Sequence, residues 1–183
     1  MRALVLMSLW LGALLLIPSG AHVLEMPHKL AMDRAAYFSA QQMYVGWALF
    51  GLPIVMKIIL DAVLAFVWRR TSRLAACGAL ISAALIGCGL IVFFVWVQPA
   101  NIATSNWATQ PSDWVALRQN WEYGHLAIAV LTALSFCGIS YSAITFRPAP
   151  KSKAPPGGQR GFESLAVKRG DVLLPSSDPQ RET

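Results

Sequence analysis

Two pairs of acidic and histidine side chains are the features of this sequence best suited to chemistry. His22 and Glu25 form one pair, in the stretch AHVLEMPHK, and Glu122 and His125 form the other, in RQNWEYGH. Both pairs have a spacing of three residues, which places the two side chains one turn apart on one face of a helix. Imidazole and carboxylate groups bind transition metals and also exchange protons near neutral pH. The pairs therefore predict a metal site or an acid–base site.

Long apolar segments must position these pairs. The 183 residues are 56% hydrophobic and only 13% charged, whereas about a quarter of the residues are charged in a soluble domain. Four apolar segments reach the length needed to cross a bilayer, about 20 helical residues, and none alternates with the period of two that is typical of a membrane β-barrel. We therefore expect an all-α integral membrane protein, a four-helix bundle. Its helices should lie at about residues 3–24, 43–68, 74–97 and 124–146.

The chain divides into two regions by composition. Residues 1–146 contain all four apolar segments and should form one transmembrane domain. Residues 147–183 begin with RPAPKSKAPPGGQR and are rich in proline, glycine, serine and charge. Such a composition cannot bury enough apolar surface to fold alone, so we expect a disordered basic tail.

Basic residues predict the orientation of the bundle. The connection after the second apolar segment contains three arginines and no acidic residue, and the tail also begins with basic residues. By the positive-inside rule, both termini are cytoplasmic in a multi-pass protein of the plasma (inner) membrane. The histidine pairs then lie at the extracytoplasmic end. The net charge of +6 is explained by this topology, so we expect the lipid bilayer as a partner and no nucleic acid.

The first apolar segment has a second interpretation as a signal peptide. Ser19, Gly20 and Ala21 resemble a cleavage site after an apolar core, and cleavage there would make His22 the N-terminal residue. Removal would leave only three helices, so we favour a retained membrane helix. The topology of the remaining helices is the same in both cases.

The two pairs should reach the same depth, because the first helix runs outward and the fourth runs inward. If these helices are neighbours, His22, Glu25, Glu122 and His125 converge and can hold a mononuclear transition metal, iron or copper. The second and third segments lack, at their outer ends, the carboxylates that a di-iron bundle site requires. Two alternatives remain open: His22 and His125 as axial haem ligands, or solvated interfacial groups, with Arg118 and Glu122 in an ordinary ion pair four residues apart.

Aromatic and amide side chains surround the expected site. Trp121 and Trp114 precede the fourth helix, and Gln41 precedes the second. Tryptophan is common at membrane interfaces as an anchor. Together with apolar helix walls, these side chains can also line a pocket for a flat hydrophobic molecule that enters from the lipid.

Lys57 and Asp61 lie four residues apart inside the second apolar segment. Paired charges cost less in a membrane than single ones, and a lysine near the cytoplasmic half can extend its ammonium to the surface. A proton relay is the functional alternative. The sequence shows no further ionisable residue along a path through the membrane, so the structural interpretation is favoured.

The segment NWATQPSDWVALRQNWEYGHLAIAVLTALSF resembles the anthrone-oxygenase-like membrane family, a family of four-helix proteins of largely unknown function. The resemblance lies in Trp114, Arg118, Trp121, Glu122 and His125 at fixed spacing before the last helix, and it covers residues 1–146. Some members of that family are linked to the oxidation of anthrones to anthraquinones. The resemblance implies a membrane-embedded oxidoreductase that acts on a small aromatic or quinol-like substrate.

On this hypothesis His125 and Glu122 are ligands or acid–base groups, and His22 and Glu25 complete the site. Arg118 orients Glu122 or holds an anionic oxygen, while Trp121, Trp114 and Gln41 bind the ligand or cofactor. Two other functions stay open: a non-enzymatic membrane subunit or small-ligand binder, and a haem-carrying electron-transfer subunit.

Overall fold

A computed structural model describes residues 1–146, and within this range the chain is helical between short connections, with no β-strand. The predicted disorder of residues 147–183 lies outside the described residues. Four long helices are connected by short helices or turns. In chain order, the elements are α1 (Arg2–Ala31), α2 (Arg34–Gln41), two 3₁₀ turns (Gln42–Tyr44 and Trp47–Phe50), α3 (Gly51–Trp68), α4 (Arg73–Val92), a π-helical turn (Phe93–Val97), α5 (Gln98–Ala103) and α6 (Trp114–Thr145).

Four of the helical segments are long and apolar enough to cross a membrane. They are Arg2–Ala31, Trp47–Trp68, Arg73–Ala103 and Trp114–Thr145. Large apolar side chains are exposed on their outer surface, including Trp10, Leu49 and Ile144, a surface compatible with lipid contact and unsuited to water. Within residues 1–146 the all-α prediction is thereby confirmed, as is the prediction of four helices long and apolar enough to span a membrane.

The four long helices contact one another in a closed ring. Helix α1 packs against α3 and α6, and α4 packs against the same two helices. The first and fourth membrane helices are therefore neighbours, which the sequence alone left open. Small residues permit the close packing of α4 and α6: a Cβ atom at Gly78 would clash with the Ser142 hydroxyl and approach the Gly138 carbonyl oxygen to 3.1 Å.

Three helical segments extend beyond their predicted ends. Helix α1 continues to Ala31, α4 continues through the π-helical turn and α5 to Ala103, and α6 begins at Trp114. The motif RQNWEYGH therefore lies within α6 rather than before it. Several polar side chains in these extensions meet partners on neighbouring elements, among them Lys29 with Glu122 and Arg118 with the Met32 carbonyl. Arg118 Nε and Glu122 Oε2 are nevertheless buried without a hydrogen-bond partner.

The extensions are covered by α2 and by the connection between α5 and α6. Tyr37 and Phe38 of α2 are buried against Trp107 and Trp121, with Val97 and Ala100 in the same apolar cluster. An Asp33 side chain accepts a hydrogen bond from the Ala36 N–H at 2.8 Å and so begins α2 as its N-cap. This small aromatic layer closes one end of the bundle, which we call the histidine end because His22 and His125 lie there.

Candidate ligand-binding site

A cavity of about 590 Å³ opens at the histidine end between the helices. Its walls are mainly aliphatic and aromatic, and only a few polar side chains reach it. A volume of roughly 300–1,000 Å³ is typical of pockets for small molecules. The polar and large aromatic lining residues include His22, Gln41, Tyr44, Trp47, Asn101, Trp121 and His125.

The two predicted histidines form one wall of this cavity. The rings of His22 and His125 stack with centroids 4.0 Å apart and planes inclined by 26°. Trp121 lies edge-on to His22, with ring centroids 5.0 Å apart, and contacts His125 at 4.2 Å. His22 is 6% exposed, and its Nδ1 atom has no hydrogen-bond partner. His22 thus carries a buried ring nitrogen without a partner, on a side chain that lines the cavity.

The predicted acidic residue of α6 is held by a lysine of α1. The Lys29 ammonium lies 2.8 Å from Glu122 Oε1, and the two side chains are 3% and 0% exposed. The same carboxylate oxygen accepts a hydrogen bond from the Tyr37 hydroxyl at 2.9 Å. The ammonium also lies 4.2 Å from the Trp121 ring centroid and 4.6 Å from that of Tyr44. This buried ion pair joins α1 to α6 beside the cavity.

Arg118 has a different role from the predicted one. Its Nη1 atom donates to the carbonyl oxygens of Met32 at 2.9 Å and Lys29 at 3.4 Å. These carbonyls lie at the C-terminal end of α1, where helical carbonyls lack partners within the helix. The guanidinium covers the Trp114 ring at 4.6 Å. Within residues 1–146 no ion pair joins Arg118 to Glu122, so Arg118 fastens α6 to the end of α1.

Glu25 is also engaged by a hydroxyl group. The Tyr44 hydroxyl donates to Glu25 Oε2, and the Lys29 ammonium donates to the same hydroxyl oxygen at 3.3 Å. Burial raises the pKa of Tyr44 above its ordinary value, and the hydrogen bond to Glu25 raises it further. Burial likewise raises the pKa of Tyr37, and the charge of Glu122 adds to this effect. Both phenols are therefore neutral hydrogen-bond donors to carboxylates.

The predicted metal ligands are neighbours, but they do not form a ligand set. Within residues 1–146 no group of three or more His, Cys, Asp or Glu side chains is placed to hold a metal ion. One carboxylate faces an ammonium and the other faces Tyr44, while the two imidazoles face each other. The residues thus do not fit the expected mononuclear metal. Nor do two rings stacked face to face fit axial haem ligation, which places the iron between two ring nitrogens.

The three residues predicted to bind a ligand or cofactor divide into two groups. Trp121 and Gln41 line the cavity, and Gln41 Oε1 is buried without a partner. The Trp121 ring nitrogen donates to Asn101 Oδ1 at 3.0 Å, which fixes the indole against the histidines. Trp114 lies outside the cavity and packs against Arg118 and Phe38. It supports the fold at this end without lining the cavity.

Sequence reasoning missed three residues of the site. Lys29 lies four residues after Glu25, a spacing that the sequence analysis did not use. Tyr37 lies in a segment predicted to connect two helices, and Trp47 is the start of the second span. Their partners are far away in sequence, so no local pattern indicated them.

A strained turn borders the cavity. Ser105, Asn106 and Trp107 have φ angles of 50°, 54° and 66° in succession, a left-handed conformation that costs energy for residues with side chains. Hydrogen bonds hold it: the Trp107 N–H donates to Thr104 Oγ1 at 3.0 Å, and Gln42 Nε2 donates to the Trp107 carbonyl at 3.0 Å. The turn places Asn106 and Trp107 at the cavity.

The arrangement can bind a flat apolar molecule and exchange a proton with it. Apolar walls supply burial, the indoles of Trp47 and Trp121 supply aromatic faces, and the imidazoles of His22 and His125 supply ring nitrogens. Compared with known proteins, the chain matches no family model, no curated protein and no solved structure.

Proposed function

We propose that this chain is a membrane-embedded oxidoreductase that binds a small hydroxylated aromatic molecule, anthrone-like or quinol-like, and oxidises it in the cavity. The observation that carries the proposal is the stacked pair His22 and His125 on the wall of an aromatic cavity of about 590 Å³. The resemblance of the motif from Trp114 to His125 to the anthrone-oxygenase-like family points to the same class of substrate.

The proposed reaction begins when the substrate loses a proton. An anthrone has a methylene group whose deprotonation gives an extended, electron-rich anion. A histidine ring nitrogen is suited to accept that proton near neutral pH, and His22 Nδ1 has no other partner. The anion then reacts with dioxygen, so that the methylene and dioxygen become a ketone and one water molecule. The electrons come from the substrate, and no step depends on a bound metal.

Polar groups at the cavity would orient the substrate. The unpartnered Oε1 of Gln41 can accept a hydrogen bond from a substrate hydroxyl. Trp121 is fixed by Asn101 and offers a flat face for stacking. Because the cavity is largely apolar, an anion formed there is shielded from water, which strengthens its interaction with nearby charges.

The proposed setting is the inner membrane, with both termini in the cytoplasm. Arg69, Arg70 and Arg73 at the connection between α3 and α4 support this orientation. The cavity then lies toward the extracytoplasmic face, and its ligand enters from the lipid or from that face.

A second candidate function is ligand binding without chemistry. It is favoured by the engagement of Glu25 and Glu122 in contacts with Tyr44, Tyr37 and Lys29. Those contacts leave only the histidine pair available for a reaction. A carrier or sensor of hydrophobic aromatics would need the cavity but not the proton transfer.

Turnover by purified protein separates the two functions. The full chain in detergent is incubated with 1,8-dihydroxyanthrone in air, with and without prior dialysis against a chelator, and dioxygen uptake and quinone absorbance are followed. The proposal predicts one dioxygen consumed per quinone formed, at a rate above the protein-free rate and insensitive to the chelator. Binding without accelerated uptake would support a carrier. Absence of both would contradict the proposed function.

A further inference from the structure

A second polar cluster lies among the four long helices, separate from the histidine pair. Lys57 and Asp61 of α3 form an ion pair in which both side chains are 0% exposed. Ser8 of α1 and Ser82 of α4 both donate hydrogen bonds to Asp61, the second at 2.6 Å. Ser135 of α6 shares a hydrogen bond with Ser82 at 2.7 Å. Each long helix therefore contributes one or two polar side chains.

The burial of this pair requires an explanation beyond packing. The expectation that Lys57 reaches the membrane surface is wrong, because its side chain is fully buried and its ammonium contacts Asp61 and Ser82. Apolar side chains of similar size often stabilise a protein as well as a buried ion pair does. Ionisable groups inside a membrane bundle commonly mark paths for ions or protons.

The cluster lies directly beneath the floor of the cavity. On three helices, a residue that lines the cavity is one turn away from a residue of the cluster, always on the side of the histidine end. One helical turn rises by about 5.4 Å. The pairs are Ile54 and Lys57 on α3, Ile86 and Ser82 on α4, and Thr132 and Ser135 on α6.

Hydroxyl side chains are present at both levels. Thr132 is 6% exposed and lines the cavity, and Ser135 one turn below it is fully buried. Ser135 meets Ser82, and Ser82 donates to Asp61. A hydroxyl can both donate and accept a hydrogen bond, so a series of hydroxyls can pass a proton by reorientation. The Thr132 hydroxyl donates to the Ile128 carbonyl at 2.8 Å, so a path from Thr132 to Ser135 requires this hydroxyl to turn toward Ser135.

The cluster of Lys57 and Asp61 can compensate the charge of an anion bound in the cavity. An aromatic hydroxyl that loses its proton in an apolar cavity leaves an anion, and an uncompensated anion in such surroundings is costly. The pair Lys57 and Asp61 is neutral overall. If Asp61 accepts a proton, the Lys57 ammonium is left as a net positive charge below the cavity, where it attracts the anion.

We propose that Asp61 accepts the hydroxyl proton of a ligand in the cavity, a proton different from the methylene proton that the proposed function assigns to a histidine. The O–H bond of an acidic aromatic ligand breaks, its proton moves by way of Thr132, Ser135 and Ser82, and an O–H bond forms on the Asp61 carboxylate. No electron is transferred in this step, and the Lys57 ammonium becomes the counter-charge of the ligand anion. The inference rests on the proposed function in one respect, that a hydroxylated aromatic occupies the cavity.

The titratable groups around this path are few. At the cavity they are His22, His125 and Tyr44. Around Asp61, α3 contributes Lys57, whereas the hydrogen-bond partners contributed by α1 and α4 are serines. The imidazoles are thus the rival acceptors, and an experiment must distinguish them from Asp61.

The test uses 2-naphthol, whose neutral and anionic forms have different absorption spectra. The full chain in detergent and weak buffer at neutral pH is titrated with this probe, and a pH indicator measures the protons released. We expect bound 2-naphthol to be the anion, with no proton released to the medium. In the double variant Lys57→Met/Asp61→Asn, which replaces the pair by neutral side chains of similar size, we expect bound 2-naphthol to be neutral.

Three results would overturn the inference. Neutral 2-naphthol bound to the wild-type chain would show that no proton is transferred. An anion with one proton released per bound molecule would show that the proton leaves the protein. An anion without release in the double variant would assign the proton to the histidines.

Two further measurements guard against other causes. 2-Methoxynaphthalene has no acidic proton, so its binding reports the cavity alone. If neither probe binds, the proposed function fails and the inference fails with it.

The variant Ser135→Ala leaves both charges in place, so it should bind 2-naphthol as the same anion. The anion should form roughly tenfold more slowly, the loss expected for one hydrogen bond. An unchanged rate in stopped-flow absorbance would overturn the hydroxyl path.

Discussion

His22 on α1 and His125 on α6 lie face to face, with ring centroids 4.0 Å apart. The contact joins the first and last membrane helices, and Trp121 packs against both rings. Because both imidazoles line the cavity, this single contact ties the packing of two helices to the shape and polarity of the site.

Replacing either histidine should separate binding from chemistry. In His125→Ala and His22→Ala we expect dioxygen uptake with 1,8-dihydroxyanthrone to fall by about 10²-fold or more, the usual contribution of a positioned base. The affinity should change much less, because the apolar walls remain. Tryptophan fluorescence measures the affinity, and an oxygen electrode measures the rate. His28→Ala is the matched control, since His28 is exposed; unchanged uptake in both cavity variants would contradict a catalytic role.

Breaking the Lys29–Glu122 pair should destabilise the histidine end strongly. Removing one partner of a buried ion pair costs about 3–5 kcal/mol because the other charge stays buried. We therefore expect Lys29→Met and Glu122→Gln each to lower the denaturation midpoint in detergent markedly. The double variant should recover much of the loss, since it leaves no unpaired charge. Additive losses in the double variant would show that the two side chains do not act as a pair.

Raising the pH should destabilise the chain through Tyr37 and Tyr44. Both folded-state pKa values are raised above the ordinary value of 10.0, so the folded state retains protons that the unfolded chain would lose. The two tyrosines contribute fully to the free energy of unfolding below pH 10.0, and this contribution decreases as the pH rises above that value. Ultraviolet absorbance at increasing pH should show phenolate formation at these positions only together with unfolding.

The control for this pH effect is Tyr37→Phe combined with Tyr44→Phe. The double variant is less stable at neutral pH because it loses hydrogen bonds to Glu122 and Glu25. Its stability should nevertheless depend less on pH above 10.0, the unfolded-state value of both phenols. An identical pH dependence in the wild type and the double variant would rule out these two tyrosines as the cause.

Adding a methyl group at Gly124 should disturb the site beside His125. A Cβ atom there would lie 2.7 Å from Val97 Cγ2, at the end of the π-helical turn. Overpacking of this kind costs about 1–3 kcal/mol. Gly124→Ala should therefore lower thermal stability and shift His125, which is the next residue.

A compensating change tests that explanation directly. Val97→Ala removes the contacted methyl group, so the double variant Gly124→Ala/Val97→Ala should be more stable than Gly124→Ala alone. Circular dichroism on heating measures both variants. If Val97→Ala gives no rescue, the cost at Gly124 arises elsewhere, for example from the approach of the new methyl group to Trp96 at 3.5 Å.

The helical architecture was predictable because hydropathy is a local property. A run of about 20 apolar residues needs a helix to satisfy its backbone in lipid, whatever surrounds it. The start of α4 at Arg73 and the end of α3 at Trp68 were therefore as expected, whereas α3 begins at Gly51 rather than at residue 43, because residues 42–50 form 3₁₀ turns at the cavity. The extensions of α1 and α6 were missed because Glu25, Lys29 and Glu122 look like the end of a membrane segment until their partners are known.

The candidate site was predictable in position but not in connectivity. The three-residue spacings placed His22 and His125 on faces that can meet, and they do meet. The same spacings suggested that Glu122 completes a ligand set with the histidines. In the folded chain that carboxylate instead pairs with the Lys29 ammonium and accepts a hydrogen bond from Tyr37. Residue type limits which partners are chemically possible, whereas distance decides which partner is taken.

The sequence by itself determined four apolar helices, the polar end that carries the histidines and the charged pair Lys57 and Asp61. Only the tertiary structure decided that Ser8, Ser82 and Ser135 gather around that pair and that a cavity lies above it. The physical reason is the range of the interactions. Hydrophobic transfer and helical hydrogen bonds act within one segment, but a buried polar group is satisfied by whichever helix packs beside it.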